Sequence, residues 1–316
     1  MGWLDLTSTA CHSMAAMRDG RFLEGGKVGR FAFPLFLTGS AILSAGPLLV
    51  RLADVGAVQS GFWRLAIAIV PLLLIARLAG RGTGSGRRGD WRWLAAAGFF
   101  FAADLACWHL GILRTTLANS ALFANATSFI YPVWGFVIAR TLPSKRAAYA
   151  LLLAASGIGL LMGMSAQVSA RHVTGDLLCL VAAVFYTGYL IVMDRVRARI
   201  PAFATLALMT MFAAAMMLPL ALAAPGAFWP TDWTPLIWLA LGSQVAGQGL
   251  IILALPHLSP LASGIGLLIQ PVLSAAWGLL WFDERLSTPE AIGIAAILAA
   301  LVMVRLPERA KAVPTA

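Results

Sequence analysis

Residues 31–50 read FAFPLFLTGSAILSAGPLLV, an apolar run without one charged side chain. About 20 such residues in an α-helix cross a hydrocarbon core of about 30 Å. Nine further runs of similar character follow, near 58–78, 91–112, 117–139, 146–164, 176–193, 203–223, 233–254, 260–281 and 289–305. Hydrocarbon admits only helices and closed barrels, because every backbone polar group must be satisfied internally. Barrel strands alternate apolar and polar residues, whereas these runs are apolar all round. The expectation is an all-α membrane protein with ten transmembrane helices. With 60% hydrophobic and 11% charged residues, the chain could not cover the surface of a soluble domain.

The net charge of +10 would suggest nucleic acid in a soluble protein. Here the basic residues lie between the apolar runs. With the N-terminus inside, eighteen of the 23 Lys and Arg fall in inner connections. Outer connections hold Arg51, Arg114, Arg171 and Arg285, and Arg64 lies within the second run. That bias predicts both termini in the cytoplasm and a multi-pass protein of the bacterial inner membrane. The Arg81–Arg92 segment reads as an inner turn drawn to anionic lipid. Residues 1–30 read as a cytoplasmic tail without signal-peptide character, and 307–316 as a second tail. Cys11, Cys107 and Cys179 form no disulfide or metal pattern.

An internal repeat divides the chain into 31–165 and 166–306. Tyr131-Pro132-Val133 in the fourth run echoes Gln270-Pro271-Val272 in the ninth, and Pro71 in the second echoes Pro219 in the seventh. Each half holds five spans. An odd number forces tandem halves to insert in opposite orientations, giving two inverted five-helix repeats.

The chain resembles the drug/metabolite transporter superfamily, specifically its EamA-type ten-helix exporters. The resemblance spans about residues 31–306 and rests on Arg51-Leu52-Ala53, Gly61-Phe62-Trp63-Arg64, Gln270-Pro271-Val272, Gly278 and Asp283-Glu284-Arg285-Leu286. The first half departs from the pattern. After Arg140 it reads Thr141-Leu142-Pro143-Ser144, with no acid where the second half has Glu284. The resemblance implies export of small metabolites or toxic compounds. Amino-acid exporters of the YddG type, aromatic ones included, are most similar in length and layout.

Polar groups inside a membrane are costly and point to function. Arg64 and Asp104 are the deepest charges, at about 9 and 12 Å from the outer helix ends by a rise of 1.5 Å per residue. Their matched depths suggest a pair, read either as a packing ion pair or as a substrate site. Asp104 is also the one central carboxylate and so the proton-site candidate. Trp108 lies on its helical face at i+4. His109, at i+5, reads as a hydrogen-bonding residue near the outer end. In the fourth run Asn119, Ser120, Asn125, Thr127, Ser128 and Tyr131 form a long polar face that must look inward. Of these, Asn125, Ser128 and Tyr131 are candidates for cavity lining, and interhelical hydrogen bonding is the plainer alternative. Tyr186, Tyr189, Gln244, Gln248 and Gln270 complete the candidate set. Aligning the third and eighth runs sets Gln248 opposite Asp104.

A few polar groups in an apolar and aromatic wall suit an amphipathic substrate such as an amino acid. A nucleotide sugar would require several inward cations. The expectation is therefore a secondary transporter working by alternating access, with organic-cation or drug export, or an uncoupled facilitator or channel, as the alternatives. No enzyme is expected, because His12, His109, His172 and His257 are scattered and Asp104 is alone. No cofactor and no metal site are expected. The expected partners are a small-molecule substrate and the bilayer, with no nucleic acid. The expected assembly is a monomer or weak homodimer.

Overall fold

The computed structural model describes residues 26–78, 90–115, 117–163, 170–197, 200–282 and 288–305. Most of them are helical, with no strand among them. The helices are α1 Gly26–Leu43, α2 Gly46–Leu52, α3 Ala57–Leu78, α4 Asp90–Ile112, α5 Leu117–Ala124, α6 Thr127–Ala139 and α7 Lys145–Gly163. They continue with α8 Ala170–Arg197, α9 Ala202–Ala223, α10 Thr234–Trp238, a π-helical segment Leu239–Gly247 and α11 Gln248–Ala254. The last are α12 Pro260–Leu267, α13 Ile269–Phe282 and α14 Thr288–Arg305. Residues 1–25 of the first tail, the second tail, most of the Arg81–Arg92 segment and the Asp283–Leu286 motif lie outside the described residues, as does the side chain of Asn119; residues 26–30, expected in the tail, are the first turns of α1.

Seven helical segments are long and apolar enough to cross a membrane: 29–52, 57–78, 90–112, 173–197, 202–223, 234–257 and 260–281. The runs expected at 117–139, 146–164 and 289–305 are helical too. The first of them is split, which leaves α6 only 13 residues long. Large apolar side chains such as Val70, Leu74, Val137, Leu222 and Leu280 are exposed, while Arg64, Asp104, Gln244 and Gln248 are buried. This inverts the pattern of a water-soluble protein and fits a lipid solvent.

Four apolar runs that read as continuous are interrupted. α1 ends at Ser44-Ala45, and α2 restarts on Gly46-Pro47, where proline's missing N–H is harmless in a first turn. α5 ends where Asn125 turns its Nδ2 back onto the Ala121 carbonyl at 2.5 Å, competing with the helix's own ladder. α12 ends at Leu268, whose N–H reaches only three residues back, to Ile265 O at 3.0 Å. Pro271 then cannot donate to the Leu267 carbonyl. The fourth interruption is the π-helical turn at 239–247, a local widening often found at functional sites.

α4 packs along α8, α11 along α1, α9 on α3 and α4, and α7 on α14. The two split spans cross one another, with α6 against α12 and α5 against α13. Glycine makes the crossing close. A Cβ on Gly264 would lie 2.5 Å from Ser128 O and 2.5 Å from Pro132 Cγ. Neither neighbour is a flexible side chain. Gly264→Ala is accordingly expected to destabilise the fold by about 1–3 kcal/mol, the usual cost of overpacking. Thermal melting of detergent-purified protein checks this, and an unchanged melting temperature contradicts the packing described.

Candidate functional site

The interruptions converge. One cavity is lined by Leu43 at the end of α1, by Ala124, Asn125 and Thr127 at the α5–α6 break, by Gln248 at the close of the π segment, and by Leu267 and Gln270 around the α12–α13 break. Its remaining wall comes from Arg64 on α3, Phe101, Asp104, Leu105 and Trp108 on α4, and Tyr186 on α8. Phe101, Asp104, Leu105 and Trp108 are spaced by three and four residues and share one helical face. The cavity volume is about 60 Å³. At roughly 15 Å³ per water centre this admits about four waters, less space than ligand pockets usually offer.

Arg64 and Asp104 are 2% and 8% exposed, so both charges lie almost out of solvent. No ion pair within 4.0 Å joins them, which corrects the direct pairing that their equal depth suggested. Arg64 Nε instead donates to Gln244 Oε1 at 3.3 Å. Gln244 donates in turn to Thr210 Oγ1 at 3.1 Å, which fixes its amide. The guanidinium carbon stands 5.8 Å from the Phe101 ring centre, a cation–π distance. An arginine held through Nε keeps its outer nitrogens for a carboxylate, while Asp104 offers the opposite charge across the same small space.

Gln248 is held between two tyrosines. It donates to Tyr186 Oη at 3.2 Å and accepts from Tyr189 Oη at 3.4 Å. Tyr189 is fully buried and stacks on Phe101 with ring centres 4.7 Å apart. Thr127 donates to Ala183 O at 2.8 Å, tying the α5–α6 break to α8. The Trp108 indole Nε1 is buried without a hydrogen-bond partner among the described residues. His109 faces away from the cavity and joins α4 to α3. Its Nδ1 lies 3.0 Å from Ala57 O and 2.9 Å from Ser60 Oγ. A carbonyl only accepts, so Nδ1 carries the proton.

Seven expected residues therefore line one cavity: Arg64, Asp104, Trp108, Asn125, Tyr186, Gln248 and Gln270. Gln244 and Tyr189 form a layer behind it. Ser128 and Tyr131 are buried outside the lining, with Ser128 O beneath Gly264 and Tyr131 in the main apolar core. Phe101, Leu105, Leu43 and Leu267 were not expected. Phe101 and Leu105 carried one available signal, their three- and four-residue spacing with Asp104 and Trp108 along α4.

The end of the bundle where α2 meets α3 is joined by a different cluster. Asp54, between α2 and α3, accepts from the N–H of Thr231 at 2.7 Å and of Asp232 at 3.2 Å, and from the Thr231 hydroxyl. The hydroxyl contact, then the backbone donors, hold the Asp54 carboxyl below its ordinary value. This clasp is therefore intact at neutral pH and opens only as pH falls through that lowered value. Trp63 Nε1 donates to Phe228 O at 2.7 Å beside it.

Comparison with known proteins agrees with the fold. The model of the EamA-like transporter family matches residues 173–306. No curated protein matches the chain. One solved structure, described only as "Crystal structure of protein", has 16% sequence identity and a TM-score of 0.73. The match covers 87% of this chain and 96% of that one, and at such identity the likeness is of fold alone.

Proposed function

We propose that this multi-pass membrane protein, with an EamA-like transporter domain in its second half, is a secondary transporter that exports small amphipathic metabolites. Amino acids, aromatic ones included, are the substrates that fit best. The observation that carries this reading is the convergence of four interrupted spans on one small cavity holding a buried cation and a buried carboxylate. Broken helices free backbone groups at mid-membrane, and transporters use such points for binding. Arg64 takes the substrate carboxylate, Asp104 the ammonium group, and Phe101, Trp108 and Tyr186 the side chain. Asp104 is the proposed proton site.

Ten spans in two inverted repeats, 31–165 and 166–306, give the alternating access this requires. The packing supports that reading, because exchanging each span with its mate five spans away reproduces the neighbours. The contact of α4 with α8 becomes that of α11 with α1, and α12 on α1 mirrors α5 on α8. The N- and C-termini then lie in the cytoplasm of a bacterial inner membrane. Aromatic walls around Asp104 favour one second reading, export of organic cations. Uptake of labelled amino acids into proteoliposomes, with and without a pH gradient, tests the assignment. Saturable uptake supports it, and no uptake across the panel sinks the amino-acid reading.

A further inference from the structure

Ser44 lies between α1 and α2 and belongs to neither. Pro47, four residues beyond Leu43, has no N–H to give the Leu43 carbonyl. A broken span leaves backbone groups that hydrocarbon cannot satisfy, so partners must come from neighbouring helices. α13 supplies two at this turn. Ser274 Oγ donates to Ser44 O at 3.2 Å, and Trp277 Nε1 donates to Ser44 Oγ at 3.0 Å. The Ser44 hydroxyl gives its own proton to Ala41 O at 2.6 Å, so towards Trp277 it only accepts. Ser44 and Ser274 are both buried. The two bonds span 230 and 233 residues of sequence and join the two halves of the chain.

This brace adjoins the cavity. Gln270, Ser274 and Trp277 are spaced by four and three residues and share one face of α13. Gln270 lines the cavity from that face, while Ser274 and Trp277 grip the turn next to Leu43, which lines it from α1. Two residues past Ser44, Gly46 lies against another wall residue, since a Cβ there would be 3.3 Å from Trp108 Cη2. The turn therefore sets the place of Leu43 through the chain and of Trp108 through contact. The first half holds its own span in a similar manner. Exchanging spans five apart pairs α13 with α6 and α1 with α8. Thr127 on α6 donates to Ala183 O on α8 at 2.8 Å, three residues before Tyr186 of the cavity wall.

We infer, on the transporter reading above, that Ser274 and Trp277 are positioning residues for substrate binding. Neither lines the cavity. By fixing the Ser44 turn they hold the Leu43 and Trp108 walls in place before the substrate arrives, which lowers the ordering cost of binding.

Calorimetric titration of L-phenylalanine into the full-length, detergent-purified protein reads the effect. Ser274→Ala and Trp277→Phe each remove one donor and are each expected to raise Kd about three- to tenfold, the loss of one hydrogen bond. A variant that merely folds less well would bind with lower stoichiometry and an unchanged constant. Ser274→Thr keeps the hydroxyl and should stay within about twofold of the wild type. Ser44→Ala removes the acceptor of Trp277. Trp277→Phe added to Ser44→Ala should therefore weaken binding no further, as expected of two members of one contact. Unchanged constants for both Ser274→Ala and Trp277→Phe, or a further loss in the double variant, overturn the positioning role while leaving the transporter reading in place. No saturable binding by the wild type removes the amino-acid reading, and this inference with it.

Discussion

Replacing Arg64 with alanine is expected to cut saturable uptake at least about a hundredfold, because on the proposed reading the substrate carboxylate loses the arginine that lines the cavity. The change also leaves Asp104 in a nearly dry cavity without its compensating charge, so the purified variant should melt lower. These two effects separate. Asp104→Asn added to Arg64→Ala removes the uncompensated charge and should restore melting, but not transport. Arg64→Lys keeps the charge without the planar fork and should lose roughly tenfold. Gln244 tests the positioning argument. Its Oε1 accepts from Arg64 Nε, so Gln244→Leu should weaken substrate binding although it never reaches the cavity. Normal uptake by Arg64→Ala would remove the arginine from the site.

Asp104→Asn alone is expected to abolish the response to a pH gradient. A carrier moving one proton per substrate can accumulate substrate about tenfold for each unit of gradient, the free energy of one pH unit. With a neutral, unprotonatable amide that accumulation should fall to none. Substrate exchange in the absence of a gradient should survive, because Arg64, Trp108 and Tyr186 remain. The readout is steady-state accumulation in proteoliposomes at gradients of zero and about one unit. An unchanged gradient response would show that the proton travels elsewhere.

Much of the fold was legible because apolar length is a strong signal. The interruptions were not. The turn at Ser44-Ala45 lies inside the charge-free run 31–50, and the π segment 239–247 contains no proline. Pro47 marks the first of these as Pro271 marks the α12–α13 break, by its missing donor, whereas nothing in the local composition marks the π segment. Pro271 and Asn125 did leave a trace, one by its missing donor and the other by a side chain that competes for a helix carbonyl.

The candidate site was legible in its charges, since Arg64 and Asp104, set at one depth by the sequence, line one cavity. Their separation was not, because Gln244 lies 180 residues from Arg64 in sequence and takes its Nε. Polar spacing on the fourth run also misled. Ser128 and Tyr131 are buried against neighbouring helices, not against the cavity, and a helix enclosed on several sides has more than one inward face. Phe101, Leu105, Leu43 and Leu267 escaped notice because apolar lining looks like apolar core until the cavity is seen.

The most direct test of the central claim, a cavity built for one cation and one anion at once, is binding of three related ligands to the purified protein. Calorimetry would compare an aromatic amino acid with the amine lacking its carboxylate and the acid lacking its ammonium group. The zwitterion should bind at least about tenfold tighter than either, since each lost charge removes one assisted hydrogen bond. An amine that binds as tightly as the amino acid would contradict the claim and leave Asp104 with its aromatic wall as an organic-cation site.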